Sequence, residues 1–193
     1  MSPTYARVIV FVATLVFWIL RGVIKLRAAG VPVAKRRVGA LEVVVIVIAS
    51  AGMLLPWLWL ATPALAFADY STHPLALIVG TVLLGWGLWL LHRTNGDLGS
   101  NWSASLELKE DHRLVTEGVY RRIRHPMYLS LLLFAAGQTL ALPNYVAGPT
   151  SLVAMIILVV FRLPAEERLM LEAFGEDYEA YQQRSSRLVP GLW

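Results

Sequence analysis

The chain has 193 residues, of which 57% are AVILMFWYC and only 16% are charged, and its mean hydropathy is +0.59. Soluble domains carry about 25% charged residues, and a soluble core of this size leaves most side chains partly exposed, so a soluble globular protein and a disordered chain are both excluded. Lys and Arg outnumber Asp and Glu by 17 to 13, a balance that reads as basic loops orienting a membrane protein, not as nucleic-acid binding.

With no cysteine, disulfides, thiolate metal sites and cysteine nucleophiles are ruled out. His73, His92, His112 and His125 fall at no i, i+3 or i+4 spacing, so no metal site is expected. The composition predicts an all-α, polytopic membrane protein forming one domain over residues 1–193.

A bilayer core takes about 20 helical residues. The first predicted span is Tyr5–Leu26, whose flanking Arg7, Arg21 and Lys25 must snorkel. Strong positive charge follows its apolar run, which marks a retained helix and not a signal peptide. The second span is Val43–Ala61, preceded by Glu42 and interrupted by Gly52 and Pro56; the third is Leu75–Leu91. The uncharged stretch Pro126–Phe161 is too long for one helix and breaks at Leu142-Pro143-Asn144 and Gly148-Pro149. A tight helical hairpin is expected there, with spans over 126–142 and 146–161.

Loop charge alternates. Arg21, Lys25, Arg27, Lys35, Arg36 and Arg37 lie between spans one and two, and Arg93, Lys109, Arg113, Arg121, Arg122 and Arg124 between three and four. The other two loops carry no Lys or Arg. The positive-inside rule then places the N-terminus outside and the C-terminus in the cytosol, as an odd number of spans requires. The two cytosolic segments, 92–125 and 162–193, hold most of the charged residues, so polar chemistry is expected there.

Beyond Pro164 the chain reads as a helix. Ala173, Phe174, Tyr178 and Tyr181 recur at about helical spacing, and Arg168, Glu172, Glu176 and Glu179 line another face. An amphipathic helix lying along the membrane surface accounts for most of these. It does not account for Arg162, Glu166 and Glu167, where the last span leaves the bilayer; Arg162 and Glu166 share a face if the helix continues through Pro164. In the other segment Gly118 permits a turn, Pro126 can start the fourth helix, and His125 falls at that helix's cap. Read alone, His125 is a cap or interface residue and Tyr128 an aromatic-belt residue.

The run LVTEGVYRRIRHPMY (114–128), the hairpin, Arg162-x-x-x-Glu166-Glu167 and AFGEDYEAY (173–181) together resemble the isoprenylcysteine carboxyl methyltransferase family. The resemblance covers about two-fifths of the chain, from His112 onward, in a short five-span form like that of prokaryotic members. The phospholipid N-methyltransferases resemble the same part less closely. The resemblance implies S-adenosylmethionine as cofactor, contacted by His112, Arg113, Leu114, Val115, Tyr120, His125, Pro126, Met127, Tyr128 and Glu166. It also implies substrate contact by Arg162. A cofactor-contacting Gln of some members falls on Ser105 here, and the eukaryotic members are longer, with more spans.

These residue types suit the chemistry. A carboxylate such as Glu166 can pair with the donor's ammonium, and tyrosine faces accept cation and adenine. His125 and backbone amides at the start of a helix can hold its carboxylate. A carboxylate acceptor is ionised at neutral pH and needs a cation, Arg162, and no base; an amine acceptor needs a proton removed, for which Glu167 is the nearest candidate. The expected function is methyl transfer to a lipophilic or lipid-modified substrate among membrane lipids, at an isoprenylcysteine-like carboxylate. The alternatives are a lipid-amine N-methyltransferase and, in another class, a small transporter or membrane scaffold. Transporters place charged or polar groups at mid-bilayer, where this chain offers only Gln138 and small hydroxyl residues.

Overall fold

The computed structural model describes residues 3–28, 32–36, 39–99, 107–109 and 113–191. Among the described residues, four helices are long and apolar enough to cross a membrane, within α1 (Pro3–Ala28), α2 (Ala40–Ala61), α3 (Pro74–Leu98) and α5 (Ala147–Phe174). The apolar helix α4 (Pro126–Ala141) is shorter. At about 1.5 Å per residue its 16 residues span roughly 24 Å, less than a bilayer core of about 30 Å. It tolerates the deficit because it is enclosed, packing along α3 and α5. Val8, Val12 and Ile19 of α1, Val43 and Val47 of α2, Val82, Trp86 and Trp89 of α3, and Val153 and Val160 of α5 form the exposed apolar surface instead.

Glycines set the spacing of α3 against α4. A Cβ at Gly137 would lie 2.7 Å from the Leu84 backbone nitrogen, and one at Gly87 2.8 Å from that of Phe134. Small residues allow such close approach, which supplies the packing that an apolar solvent does not drive. Two buried polar contacts add to it. Gln138 Nε2 donates to Thr14 Oγ1 at 3.1 Å, and Ser151 Oγ donates to the Gly52 carbonyl at 2.9 Å. Gln138 is therefore a tie between helices α4 and α1.

The ends of the bundle are held differently. At one end the α2–α3 loop meets the α4–α5 turn, with Tyr70 N–H donating to Pro143 O at 3.0 Å and Tyr145 N–H to Ala68 O at 2.9 Å. Buried Asn144 donates to Leu65 O and to Asp69 Oδ1, both at 2.7 Å. Its Oδ1 accepts the N–H groups of Val146 and Ala147, two of the donors a helix start leaves unsatisfied. At the other end β1 (Val33–Arg36) pairs antiparallel with β2 (Glu107–Lys109), in register Val33↔Lys109, Lys35↔Leu108 and Arg36↔Glu107. The two basic loops thus meet at one end and the two loops without Lys or Arg at the other, the arrangement that the charge alternation predicts. The ribbon is an addition to the expected all-helical architecture, because strands this short show no usable alternation.

Two helices run further than their spans. α3 continues past Leu91 to Leu98, since charge ends a membrane crossing but not a helix. α5 passes through Pro164 to Phe174. One lost intrahelical bond is outweighed by good helix formers around it and by burial of Leu163 and Leu169. The break comes at Gly175, whose φ of 49° is one that glycine adopts readily. The chain then folds back as α6 (Glu176–Arg184). Its tyrosine face does not lie on a membrane: Tyr178 and Tyr181 are each 2% exposed, and Tyr181 Oη donates to Tyr120 O at 2.5 Å.

Candidate active site

The site forms where the two polar segments meet. The extension of α3 brings Asp97 under the chain, and Asp97 Oδ2 accepts the Val119 N–H at 2.8 Å. Gly118 makes this turn at φ 60°, where a Cβ would come within 2.1 Å of the same oxygen. A 3-10 turn over Gly118–Arg121 follows and buries Tyr120. Residues 122–125 then run beside the chain that leaves α6. Ser186 N–H donates to Arg122 O at 3.0 Å, Arg124 N–H to Ser186 O at 2.8 Å, and His125 N–H to Arg187 O at 3.0 Å. This backbone pairing fixes His125 at the start of α4, with Pro126 as its first residue.

From α4 the side chains reach α5. Tyr128 Oη donates to Glu166 Oε2 at 2.5 Å, and Arg162 Nε lies 3.9 Å from the same oxygen. Arg162 Nη1 lies 3.8 Å from Glu42 Oε1 on α2. His125 makes no side-chain cap on α4; its ring turns between the two α5 carboxylates. Nδ1 is 4.0 Å from Glu166 Oε1, and Nε2 is 3.4 Å from Glu167 Oε1. That Nε2 is buried and lacks an aligned hydrogen-bond partner among the described residues.

The adjacent carboxylates face different environments. Glu167 accepts from Arg124 Nε at 3.0 Å and lies 2.8 Å from Arg187 Nη2, with its side chain 6% exposed. Arg124 Nη1 also donates to Gln182 O at 3.1 Å and to the Ser185 carbonyl. Glu167 thereby ties α5 to both polar segments. Glu166 keeps 34% of its side chain exposed and remains accessible to a ligand. Burial, and then the nearby Glu166, push the Tyr120 phenol well above the usual tyrosine range. Burial raises Tyr181 to about 12. Both phenols are therefore neutral at ordinary pH, and Tyr181 keeps the proton it donates.

Tyr120, His125, Pro126, Met127, Tyr128, Arg162, Glu166 and Glu167 are thus brought to one end of the bundle. Arg113 is exposed, and Leu114 and Val115 are half-buried in irregular chain ahead of the 3-10 turn. His112 and Ser105 lie outside the described residues. Sequence reasoning passes over Arg124, Arg187, Glu42 and Arg21, the last with Nη1 3.8 Å from Met127 Sδ. Arg124 sits beside His125 in a basic run that reads as headgroup contact, and Glu42 shows only as an acid at the edge of a span. One partly open carboxylate, neutral phenols and a buried imidazole nitrogen suit a ligand that carries both an ammonium and a carboxylate.

Residues 75–172 match the family described as the isoprenylcysteine carboxyl methyltransferase (ICMT) family. Protein-S-isoprenylcysteine O-methyltransferase B of Arabidopsis thaliana is 38% identical over 86 residues, covering 42% of this chain and 42% of that protein. A probable protein-S-isoprenylcysteine O-methyltransferase of Oryza sativa subsp. indica is 31% identical over 135 residues, 67% of this chain and 69% of that protein. For the enzyme of Schizosaccharomyces pombe the match is 34% identical over 83 residues and covers only 34% of the relative. The chain therefore spans about a third to two-fifths of the length of some relatives and about two-thirds of others. The structure of the eukaryotic intramembrane Ras methyltransferase ICMT superposes with a TM-score of 0.54 at 25% identity, over 78% of this chain and 52% of that one. With its apolar helices, this match makes the protein integral to the membrane and multi-pass.

Proposed function

Because the chain belongs to the isoprenylcysteine carboxyl methyltransferase family, we propose that it transfers a methyl group from S-adenosylmethionine to the carboxylate of a lipophilic, isoprenylcysteine-like acceptor. The observation that carries this reading is the juxtaposition of Arg162, Glu166, Tyr128 and His125 where the apolar helices end. When bound, S-adenosylmethionine supplies an electrophilic methyl on a sulfonium. Glu166, fixed by Tyr128, faces the ammonium of its amino-acid tail, and His125 with the amides opening α4 faces the tail's carboxylate. The Tyr120 and Tyr128 rings offer π faces to the cation.

Arg162 holds the acceptor carboxylate with a planar two-donor fork. The acceptor is already ionised, so no base is needed, and the protein's work is to align the reactants and exclude water. Glu167 has a positioning role in this scheme, because Arg124 and Arg187 occupy its oxygens. That leaves an amine acceptor without its candidate base and does not favour N-methylation. The site is assigned to the cytosolic side, with the N-terminus outside; a reporter fused after Asp69 should read outside and one at the C-terminus inside. The functional test is Arg162→Ala. S-adenosylhomocysteine binding should stay nearly intact while turnover collapses, with only partial recovery in Arg162→Lys. Unchanged turnover in Arg162→Ala would refute the carboxylate-gripping role.

A further inference from the structure

At the end of the bundle opposite the active site, a cavity of about 280 Å³ opens where α1 begins and α2 ends, with Arg7, Trp59, Thr62, Pro63, Ala66 and Asp69 in its lining. Its two charges are not paired with each other. Arg7 lies over the Trp59 ring, 5.3 Å from its centroid, and forms no ion pair among the described residues. Asp69 is fixed through one oxygen: Oδ1 accepts from Trp59 Nε1 and from Asn144 Nδ2, both at 2.7 Å, while Oδ2 has no donor among the described residues. The carbonyl end of α2 adds further acceptors. Pro63 has no N–H to give the Trp59 carbonyl, and the Ala64 N–H goes to Thr62 Oγ1 at 3.3 Å. The acceptors that a helix end leaves over, at the negative end of its dipole, therefore lie in the same lining as Asp69. The cavity offers a cation and a set of anionic acceptors, each open to a ligand.

We propose that this cavity binds the head group of an aminophospholipid, its phosphate on Arg7 and its primary ammonium on Asp69 Oδ2 and the carbonyls that end α2. The depth suits a head group, since Arg7 lies in the first two turns of α1 and Trp59 in the last turn of α2. A guanidinium takes phosphate with its planar fork, and the Trp59 ring steadies it there. Apolar surface continues from the cavity toward the middle of the membrane. Phe11, one turn deeper than Arg7, meets Trp57 of α2 edge-on at 5.7 Å and stays exposed, as do Leu54 and Leu58, so acyl chains have a path along α1 and α2. A zwitterion answers both charges and leaves the site neutral. A trimethylammonium has no N–H for the carboxylate, and a head group without a cation sets its phosphate beside Asp69 with no compensating contact. The cavity is at the other end of the bundle from Arg162 and Glu166, so the lipid bound there is not the methyl acceptor. It bridges α1, through Arg7, to the α2–α3 loop, through Asp69.

The test uses purified full-length protein, stripped of lipid in detergent, to which dioleoyl phosphatidylethanolamine, phosphatidylcholine or phosphatidylglycerol is added. Native mass spectrometry measures the affinity of the first bound lipid. Phosphatidylethanolamine should bind about tenfold tighter than either of the others, through one charge-assisted contact, and raise the melting temperature more. That comparison needs no variant. Asp69→Asn keeps an oxygen for Trp59 and Asn144 and puts a donor in place of Oδ2, so the preference should vanish. Arg7→Gln should weaken phosphatidylethanolamine binding about tenfold. S-adenosylhomocysteine binding, at the other end of the bundle, reports that both variants are folded. Equal binding of the three lipids, a preference that survives in Asp69→Asn, or an unchanged affinity in Arg7→Gln would each overturn the inference. Glycerophosphoethanolamine, the head group without acyl chains, should bind far more weakly; binding as tight as the lipid's would give the cavity to a soluble zwitterion and overturn the membrane-lipid assignment.

Discussion

Tyr128 on α4 and Glu166 on α5 are joined by a 2.5 Å hydrogen bond, tyrosine to carboxylate. The bond fixes one oxygen of Glu166 while 34% of the side chain stays exposed. A carboxylate held in this way is oriented before a cation arrives, so little ordering is left to be done on binding.

Glu166→Gln removes the charge and keeps the shape. A charge-assisted hydrogen bond is worth about 1.5–3 kcal/mol, so S-adenosylhomocysteine affinity should fall about tenfold to a hundredfold. Tyr128→Phe should weaken binding less, because the carboxylate remains. Exposed Glu179→Gln is the control. Calorimetry on the three variants decides it; equal losses from Glu166 and Glu179 would reduce Glu166 to another surface charge.

Arg124 makes a different prediction, on stability. Its guanidinium joins Glu167 to the Gln182 and Ser185 carbonyls, so Arg124→Gln should loosen the clamp of the C-terminal segment on residues 122–125. Arg187 still faces Glu167 at 2.8 Å, which limits the loss to about 1.5–3 kcal/mol. The melting temperature should drop while exposed Arg168→Gln leaves it in place. Equal melting of the two variants would contradict the clamp.

Much of the fold is legible in the sequence because lipid makes composition a direct signal: an apolar run of bilayer length must cross, and its flanking charges report the end it occupies. The limits of that signal appear at Pro164 and at Glu42. Pro164 carries a local breaking signal that burial of Leu163 and Leu169 overrides, and such packing is absent from a local window. Tyr178 and Tyr181 look amphipathic whether their partner is a membrane or residues 120–125, since helical spacing does not identify what lies opposite. The residues from His125 to Tyr128 and from Arg162 to Glu167 stand out as short motifs. Glu42, Arg21 and Arg187 reach the site from distant parts of the chain, and only the tertiary fold brings them there.

Close packing of α3 on α4 gives a further prediction. A side chain at Gly137 meets backbone at 2.7 Å, and backbone cannot swing aside as the end of a flexible side chain can. Gly137→Leu should push α4 from α3, displacing Tyr128 and His125 with it, and lower both melting temperature and cofactor-product affinity. Gly85→Leu is the control, since a Cβ there meets nothing within 4 Å. Tolerance of leucine at Gly137 would mean that the helices are not packed as described.

Carboxyl methyl transfer itself is tested most directly by the chemical stability of the transferred label. Purified protein is incubated with methyl-labelled S-adenosylmethionine and either S-farnesylcysteine or its N-acetyl derivative, and the lipid extract is treated with base. A methyl ester releases its label as volatile methanol, whereas a methylated amine keeps it. The account predicts base-labile label, lost in Arg162→Ala although that variant still binds S-adenosylhomocysteine. Base-stable label, or no transfer by protein that binds S-adenosylhomocysteine, would contradict it.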